Sequence, residues 1–464
     1  MDPPYGTQQT SLRRAVWTTN CHFRCLDDPA HSADDDLGRF AVMKTATAPA
    51  SSYSPVVTTL SNGITVVVDR VPSVASCAMG IWVRTGTRDE ARGKAGVAHF
   101  VEHMAFRRTK TMTARKIAAR FEDVGAYANA WTTKEETCFY VRTLVDNLES
   151  SFRTLAELVI DPVYTDSDVE KERHIITEEI RAYEDEAEEF IFDLGETVLF
   201  GNHPLAPPIV GTVESVSHIQ TADVQRFHDQ HYVSGNIIVC VAGNVNVDDV
   251  LTLVESTLGG MPRRRRQSRR QPPTILPPHD VTIRKSVQQA HILWQRPTFG
   301  LHHTDKYALQ VLNTILGDGM SSRLNTRVRE SKGFAYSIYS QTQLFADCGV
   351  FSIYAGVDER RYDRTNGIIT EELTKLVDKG VTDRELQRAR QQLRASRIMS
   401  LESLSSRMSM AGKGLVDEGA PEDPFLSIQR LEAVTADDVR RLAHELCDPS
   451  TWGHCMLLPS GDER

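Results

Sequence analysis

The residues best suited to chemistry are two histidines and a glutamate in the pentapeptide His99-Phe100-Val101-Glu102-His103. On a helix, residues four apart lie one turn apart on the same face, so both imidazoles can reach one zinc ion. Glu102 then lies beside His103, near a water on the metal. The motif is the reverse of the more common His-Glu-x-x-His order. The pattern alone is suggestive, because two polar residues on a partly exposed helix would also satisfy it.

A scaffold of strands and helices must position these side chains, and the sequence predicts one from residue 60 onward. The predicted strands cover residues 64–68, 78–83, 126–132 and 137–144. The predicted helices cover residues 95–106, 113–125 and 146–161, and a long charged helix runs from about Ser167 to Phe200. Because strands and helices come in groups rather than in strict alternation, the predicted fold class is α+β.

The chain also contains an internal repeat. A helix at 221–227 followed by a strand at 237–242 recurs as 436–442 and 454–458, with an offset of 215 from Val224 to Val439. Thr165-Asp166-Ser167-Asp168 recurs as Thr382-Asp383-Arg384-Glu385, with an offset of 217. No His-x-x-Glu-His follows in the later copy. We therefore predict two homologous halves, of which only the first carries the metal ligands.

The predicted domain boundaries follow from this repeat and from composition. Residues 1–54 lack hydrophobic periodicity, so we expect a disordered tail there. Residues 55–260 are expected to form the metal-binding domain, 261–279 an Arg/Pro-rich linker and 280–460 the homologous domain without metal ligands. Nucleic-acid or membrane contact through the linker arginines is the weaker alternative, since no aromatic residues interleave with them. Within this N-terminal tail, Met43 is an alternative first residue of the protein. Cys21 and Cys25 could supply half of a four-ligand metal site, but this interpretation is weak because the sequence offers no second pair of ligands.

Composition and charge exclude several classes of protein. The chain has 464 residues, of which 40% are hydrophobic and 25% charged, and its formal net charge is -9. These proportions are typical of a globular protein, and the negative balance argues against nucleic acid or anionic lipid as the partner. No apolar run approaches the roughly 18 residues of a membrane-spanning helix. Eight cysteines at wide spacings indicate a reducing compartment rather than a disulfide framework.

Several passages together resemble the pitrilysin-type inverzincin metallopeptidases, the family of insulin-degrading enzyme and the mitochondrial processing peptidase. The resemblance covers roughly residues 57–458. The passages that carry it are Gly80–Glu90, Gly96–Phe106, Ala128–Thr132, Glu172–Glu179, His203–Leu205 and Gly319–Leu324. The short members resemble two related α+β domains, each a mainly antiparallel sheet packed with helices, joined by a linker into a clam-like enclosure. The family members also dimerise, so the resemblance implies a homodimer or a heterodimer with a homologous subunit.

The resemblance implies one zinc ion per chain and a third ligand. The family places a glutamate just over seventy residues after the second histidine, and Glu179 lies 76 residues after His103. Without the resemblance, Glu179 would be one of many acids on a solvated helix, as Glu178 is taken to be. Glu172 precedes Glu179 by two helical turns, so its carboxylate could orient a ligating imidazole. An exposed surface carboxylate is the alternative for Glu172.

Four further residues take their roles from the same resemblance. Asn129 and Ala130 match the edge strand that accepts substrate as an added strand, although an ordinary sheet strand remains the alternative for Ala130. Arg329 and Tyr336 match the arginine and tyrosine that close over the substrate, the tyrosine hydroxyl stabilising the developing oxyanion. A surface arginine and a core tyrosine are the alternatives.

The leading hypothesis is a zinc metalloendopeptidase that hydrolyses short or unfolded polypeptides. Zinc would polarise the scissile carbonyl and acidify a water, while Glu102 would take the proton and pass it to the leaving amine. The alternative is a non-catalytic subunit or scaffold that supports an active homologous partner.

A narrower enzymatic alternative is a presequence-processing peptidase. It uses the acidic residues 184–186 and 188–189, expected on the same helix as Glu179, to attract basic substrates. A solvated helix face is the competing interpretation. The expected location is the bacterial cytoplasm, with the mitochondrial matrix as the alternative.

Overall fold

Two β-sheets organise the chain, which the computed structural model describes over residues 53–265 and 270–460. The first sheet has six strands in the order β1-β2-β6-β3-β5-β4. They are β1 (Val56–Thr59), β2 (Thr65–Arg70), β3 (Ser76–Val83), β4 (Tyr127–Thr132), β5 (Thr137–Leu144) and β6 (Ile237–Gly243). β2 and β6 are parallel, and the other neighbours in this sheet are antiparallel.

Eight helices accompany this sheet along the sequence. They are α1 (Val97–Ala105), α2 (Ala114–Glu122), α3 (Leu148–Ile160), α4 (Asp166–Asp185), α5 (Ala187–Phe200), α6 (Val213–Ser217), α7 (Thr221–His231) and α8 (Val247–Leu258). α3 illustrates why they form, because Phe152, Leu155 and Leu158 recur at helical spacing and are all buried against the sheet. The largest apolar cluster of the first half therefore lies between one face of the sheet and this helix layer.

The second half repeats this plan with five strands in the order β7-β11-β8-β10-β9. The strands are β7 (Val281–Lys285), β8 (Ala290–Thr298), β9 (Ala335–Leu344), β10 (Gly349–Val357) and β11 (Gly453–Pro459). The helices are α9 (Lys306–Leu316), α10 (Tyr362–Lys379), α11 (Asp383–Ser400), α12 (Leu404–Asp417), α13 (Pro424–Ala433) and α14 (Ala436–Leu446). A short π-helix covers Asn325–Glu330.

The strand orders of the two sheets match apart from the extra edge strand β1, which confirms the α+β prediction with two related halves. α7 leads into β6 in the first half as α14 leads into β11 in the second. The N-caps agree as well: Thr165 accepts a hydrogen bond from the Asp168 amide at the start of α4, and Thr382 accepts one from the Glu385 amide at the start of α11. β4 and β9 take the same place, at the edge of their sheets.

Each half sends one helix across to the sheet of the other half. α5, from the first half, packs on β8 and β11, where Ile191 lies against Leu293. α12, from the second half, packs on β2, β3 and β6, where Met408 lies in the same cluster as Trp82. α5 and α12 follow α4 and α11, so they occupy the same position in the repeat. The two halves are therefore joined by two exchanged helices as well as by the linker.

This exchange explains why the prediction of one charged helix over residues 167–200 is wrong. The chain leaves the helical conformation at Glu186 (φ -80, ψ 95), which separates α4 from α5. The break lets α5 pack against the second sheet, where Glu188 accepts a hydrogen bond from the Tyr339 hydroxyl at 2.8 Å. Glu184 and Asp185 therefore lie on α4 together with Glu179, as expected. Glu186 lies at the break and Glu188 and Glu189 lie on α5, contrary to the expectation.

Two helical glycines give a matched test of the exchanged α12. A Cβ on Gly412 would lie 2.7 Å from ring atoms of Trp82, whereas a Cβ on Gly367 of α10 would meet nothing within 4 Å. We expect Gly412→Ala to destabilise the protein by about 1–3 kcal/mol through overpacking. Gly367→Ala should instead stabilise it by up to about 1 kcal/mol, because alanine is the better helix former. Urea unfolding of both variants measures the difference, and equal effects would contradict close packing of α12 on Trp82.

The terminal and linker predictions are only partly covered by the described residues. Residues 1–52 lie outside them, and with these Cys21, Cys25 and Met43. Of the linker, residues 266–269 also lie outside. Arg270 is described, and its guanidinium bonds both carboxylate oxygens of Asp89 at 2.9 and 2.6 Å. The domain boundaries themselves stay a prediction.

Candidate metal centre

α1 carries the pentapeptide, and its start depends on a glycine. Gly96 precedes the helix with a φ of +91, and a Cβ there would lie 2.7 Å from the Val210 carbonyl oxygen. Glu90 accepts hydrogen bonds from the amides of Gly96 and Ala98 at 2.8–3.1 Å. Burial raises the pKa of Glu90 to about 8, although these bonds favour its charged form. Glu90 was not predicted from the sequence, where the available signal is an acid just before a helix.

The helical spacing places His99 and His103 side by side, as predicted. Their ring centroids are 4.5 Å apart. Glu179 approaches from α4, which packs against α1. Its Oε2 lies 3.8 Å from His99 Nε2 and 3.5 Å from His103 Nε2. The two helices thus bring together three candidate ligands that are separated by up to 80 residues in the sequence.

These three side chains fit a zinc ion. One ligand atom from each lies within 4.8 Å of the others, and among the described residues this is the one such group of three or more. Ligands at ~2.0–2.2 Å from a tetrahedral zinc lie ~3.4 Å apart, close to the separations in the structure. Two imidazoles and one carboxylate are a donor set typical of catalytic zinc sites. The set leaves a coordination position for water or substrate.

Glu172 lies behind His103, where it can orient the imidazole. Its Oε2 is 3.2 Å from His103 Nδ1, so Nδ1–H donates to the carboxylate and Nε2 faces Glu179. Arg107 lies 3.0 Å from the other carboxylate oxygen. Burial opposes a charge on the imidazole, yet hydrogen bonds to Glu172 and Glu179 raise the pKa of His103 to about 10. The carboxylates therefore create a local field that favours positive charge.

Glu102 lies one residue before His103 on α1 and is buried, with 8% of its surface exposed. Burial raises the pKa of Glu102 to about 7, while the neighbouring His103 acts in the opposite direction. Thr132 donates a hydrogen bond to Glu102 Oε2 at 2.6 Å. A carboxylate with a pKa near neutrality suits general acid–base chemistry. Sequence reasoning missed Thr132, because its contact with Glu102 joins β4 to α1 across the tertiary structure.

Asn129 and Ala130 lie on β4, which among the described strands pairs only with β5 and therefore forms an edge of the sheet. α1 packs against β4, so this edge lies beside the helix that carries the histidines. The Ala130 amide donates to the Asn129 side-chain oxygen at 2.8 Å. An extended peptide that adds to this edge would compete with the Asn129 side chain for the Ala130 amide.

Arg329 and Tyr336 lie in the second half. Arg329 is on the π-helix and Tyr336 is the second residue of β9, the edge strand that corresponds to β4. Both side chains are exposed, Tyr336 to 79%, so the alternative of a core tyrosine does not apply. Neither belongs to the group formed by the two histidines and Glu179.

Comparison with known families covers both halves. A family model described as "Insulinase (Peptidase family M16)" matches residues 65–213. A second, described as "Peptidase M16 inactive domain", matches residues 218–393. The second match falls largely on the half that lacks a copy of the His-x-x-Glu-His motif.

Comparisons with individual proteins extend over most of the chain. An uncharacterized zinc protease of Mycobacterium leprae is 36% identical over 418 residues, which cover 88% of this chain and 92% of the relative. The uncharacterized zinc protease YmxG of Bacillus subtilis is 33% identical over 404 residues, which cover 87% of this chain and 98% of the relative.

Two solved structures share the fold. A protease from Helicobacter pylori has a TM-score of 0.81 at 23% identity, with 88% of this chain and all 100% of that chain covered. A putative M16-like peptidase from Alicyclobacillus acidocaldarius has a TM-score of 0.79 at 21% identity, with 88% and 99% covered. The similarity to the M. leprae and B. subtilis proteins over most of the chain, together with matches of both M16 domain models, shows that this chain belongs to the M16 (insulinase, pitrilysin-type) peptidase family in its short two-domain form.

Proposed function

We propose that the protein is a zinc-dependent endopeptidase that cleaves short or unfolded polypeptides. The observation that carries the proposal is the convergence of His99, His103 and Glu179 beside the buried Glu102. The names of the relatives as zinc proteases support the same assignment. A bound zinc ion would supply Lewis-acid polarisation of the scissile carbonyl and would acidify a water molecule.

The chain's own side chains and backbone carry out proton transfer, orient the imidazole and bind the substrate. Glu102 accepts the proton of the attacking water and transfers it to the nitrogen of the leaving amine, which breaks the peptide bond. Glu172 holds His103 in the tautomer whose Nε2 faces the metal site. The β4 edge at Asn129 and Ala130 binds the substrate backbone as an added strand, which selects extended peptides over folded domains.

The test uses the purified full chain with a mixed library of quenched fluorescent peptides. We expect one zinc ion per chain by elemental analysis, cleavage of the library, and loss of cleavage when a chelator removes the metal. Zinc-free protein that leaves the library uncut would overturn the proposal. That result would favour the alternative of a non-catalytic subunit or scaffold for a homologous partner.

The second half contributes the oxyanion-stabilising hydroxyl in this proposal. If Tyr336 donates to the oxyanion, Tyr336→Phe should lower kcat on the order of a hundredfold, the size typical of one lost oxyanion donor. Zinc content and melting temperature should not change, because Tyr336 is exposed and lies outside the ligand group. Wild-type turnover in Tyr336→Phe would remove this role, and Arg329→Gln tests the neighbouring substrate contact in the same assay.

Partners and location are part of the proposal. The expected assembly is a dimer, which light scattering of the purified protein would reveal. Among the described residues, no helix combines the length and apolar character that a membrane crossing requires. The relatives reported above are bacterial, which supports the bacterial cytoplasm over the mitochondrial matrix.

A further inference from the structure

The turn between β4 and β5 carries three consecutive charged residues, Lys134, Glu135 and Glu136. We call residues 133–136 the charged turn. Lys134 is 3% exposed and Glu136 is 5% exposed, although hairpin turns usually lie in solvent. Burying a charge is costly unless a partner compensates for it. The residues that pair with the charged turn therefore identify the parts of the fold that it connects.

Two of the three charges contact the exchanged helices. Lys134 Nζ lies 2.7 Å from Glu196 Oε2 on α5, the helix that covers the second sheet. It also donates to the carbonyl oxygens of Leu205 and Pro207. Glu136 lies 3.8 Å from Lys413 Nζ on α12, which comes from the second half. The charged turn thus touches both helices that join the halves.

Glu135 reaches the second half itself. Its Oε1 accepts a hydrogen bond from Arg88 at 2.7 Å, and its Oε2 accepts one from the Ala346 amide at 3.0 Å. Arg88 also donates to Asp347 at 2.7 Å, in the loop between β9 and β10. The Arg88 side chain is only 1% exposed, so water does little to weaken these contacts. Arg88 therefore bridges the charged turn to the second half.

The residue just before the charged turn contacts Glu102, the proposed general base. Thr132, the last residue of β4, directly precedes the charged turn and donates to Glu102 Oε2 at 2.6 Å. Two backbone hydrogen bonds fix the turn that follows Thr132: the Thr133 amide donates to the Glu136 carbonyl oxygen at 2.8 Å, and the Arg88 amide donates to the Lys134 carbonyl oxygen at 2.8 Å. A shift of the turn would therefore move the Thr132 hydroxyl relative to Glu102.

We infer that Thr132 is a positioning residue for Glu102, and that the charged turn transmits the placement of the second half to it through Glu135, Arg88 and Asp347. The inference rests on the proposed function, because it assigns a control to the same catalytic carboxylate. It predicts that a second-half residue, Asp347, affects turnover although it contacts Arg88 rather than Glu102.

The first arm tests Thr132 alone, with zinc content, melting temperature, kcat and KM as readouts. Thr132→Val keeps the shape but removes the hydroxyl, so kcat should fall on the order of ten- to a hundredfold, the loss typical of a hydrogen bond to a charged group. KM and zinc content should not change. Thr132→Ser keeps the hydroxyl and should retain most of the turnover. If serine fails to rescue kcat, or valine leaves kcat unchanged, the positioning role is overturned.

The second arm tests the coupling by a double-mutant cycle. Asp347 is 26% exposed, so Asp347→Asn should fold, and it should lower kcat several-fold. Combined with Thr132→Val it should add little further loss, because both changes act on the same hydrogen bond. Glu135→Gln alters the same route and should likewise lower kcat several-fold, with little further loss when it is combined with Thr132→Val. Multiplicative losses in the double variants would overturn the coupling.

A matched control is the ion pair between Asp69 and Arg407. It also joins the halves, with bonds of 2.6 and 2.8 Å, but it does not touch the charged turn. Asp69→Asn should lower the melting temperature while leaving kcat within about twofold at a temperature where the protein is folded. An equal loss of kcat in Asp69→Asn would mean that any contact between the halves matters, which overturns the specific route.

Failure of this inference differs from failure of the proposed function. If Glu102→Gln abolishes cleavage while Thr132→Val and Asp347→Asn leave kcat intact, only the inference fails. If the wild-type chain holds no zinc and cleaves nothing, the proposed function itself fails.

Discussion

Replacement of Glu102 by glutamine is expected to lower kcat on the order of a thousandfold, within the range for loss of a general acid–base group. Glutamine has nearly the same shape as glutamate but cannot accept the proton of the attacking water. Glu102 is not one of the three proposed metal ligands, so zinc content should stay at the wild-type value. The measurement is kcat on one quenched peptide together with zinc per chain.

The neutral side chain should also fit the buried site of Glu102. Burial favours the uncharged form, as the raised pKa of about 7 indicates, so Glu102→Gln should not lose stability. An unchanged melting temperature with lost turnover would assign the effect to chemistry. Unchanged turnover would exclude Glu102 as the base, whatever the metal content.

Loss of the third ligand is the second large effect. Glu179→Ala should weaken zinc binding by more than about a hundredfold, beyond the loss seen when a residue behind a ligand is removed. Two imidazoles alone hold the metal poorly, and the carboxylate that neutralises its charge is gone. A competition titration with a chelating dye measures the dissociation constant, and cleavage should disappear with the metal.

The neighbouring glutamate provides the matched control. Glu178 lies on the same helix but pairs with Arg181 at the surface, with 71% of its side chain exposed. Glu178→Ala should keep both zinc and activity. Added zinc should raise the melting temperature of wild type and of Glu178→Ala but not of Glu179→Ala, because a ligand stabilises only the state that binds it. Equal zinc affinity in the two variants would exclude Glu179 as a ligand.

Much of the scaffold could be predicted from the sequence because its signals are local. β3, β4 and β5 lie within one or two residues of the predicted strands, and α1 lies inside the predicted helix. The duplication was visible because the threonine caps of α4 and α11 satisfy the same local hydrogen bond. The break at Glu186 was not visible, since helix-forming residues continue through it and only packing on the other sheet requires it.

The sequence by itself determined the alignment of His99, Glu102 and His103, because the helical period alone sets which side chains share a face. It also determined the division into related halves and the absence of the histidine motif from the second half. Tertiary structure alone decided that α4 would bring Glu179 within 3.5 Å of His103 and Glu172 within 3.2 Å. It alone decided the exchange of α5 and α12 and the pairing of the charged turn with Arg88. These contacts join residues tens to hundreds of positions apart, and no local pattern specifies which distant partner a buried charge or an apolar helix face will meet.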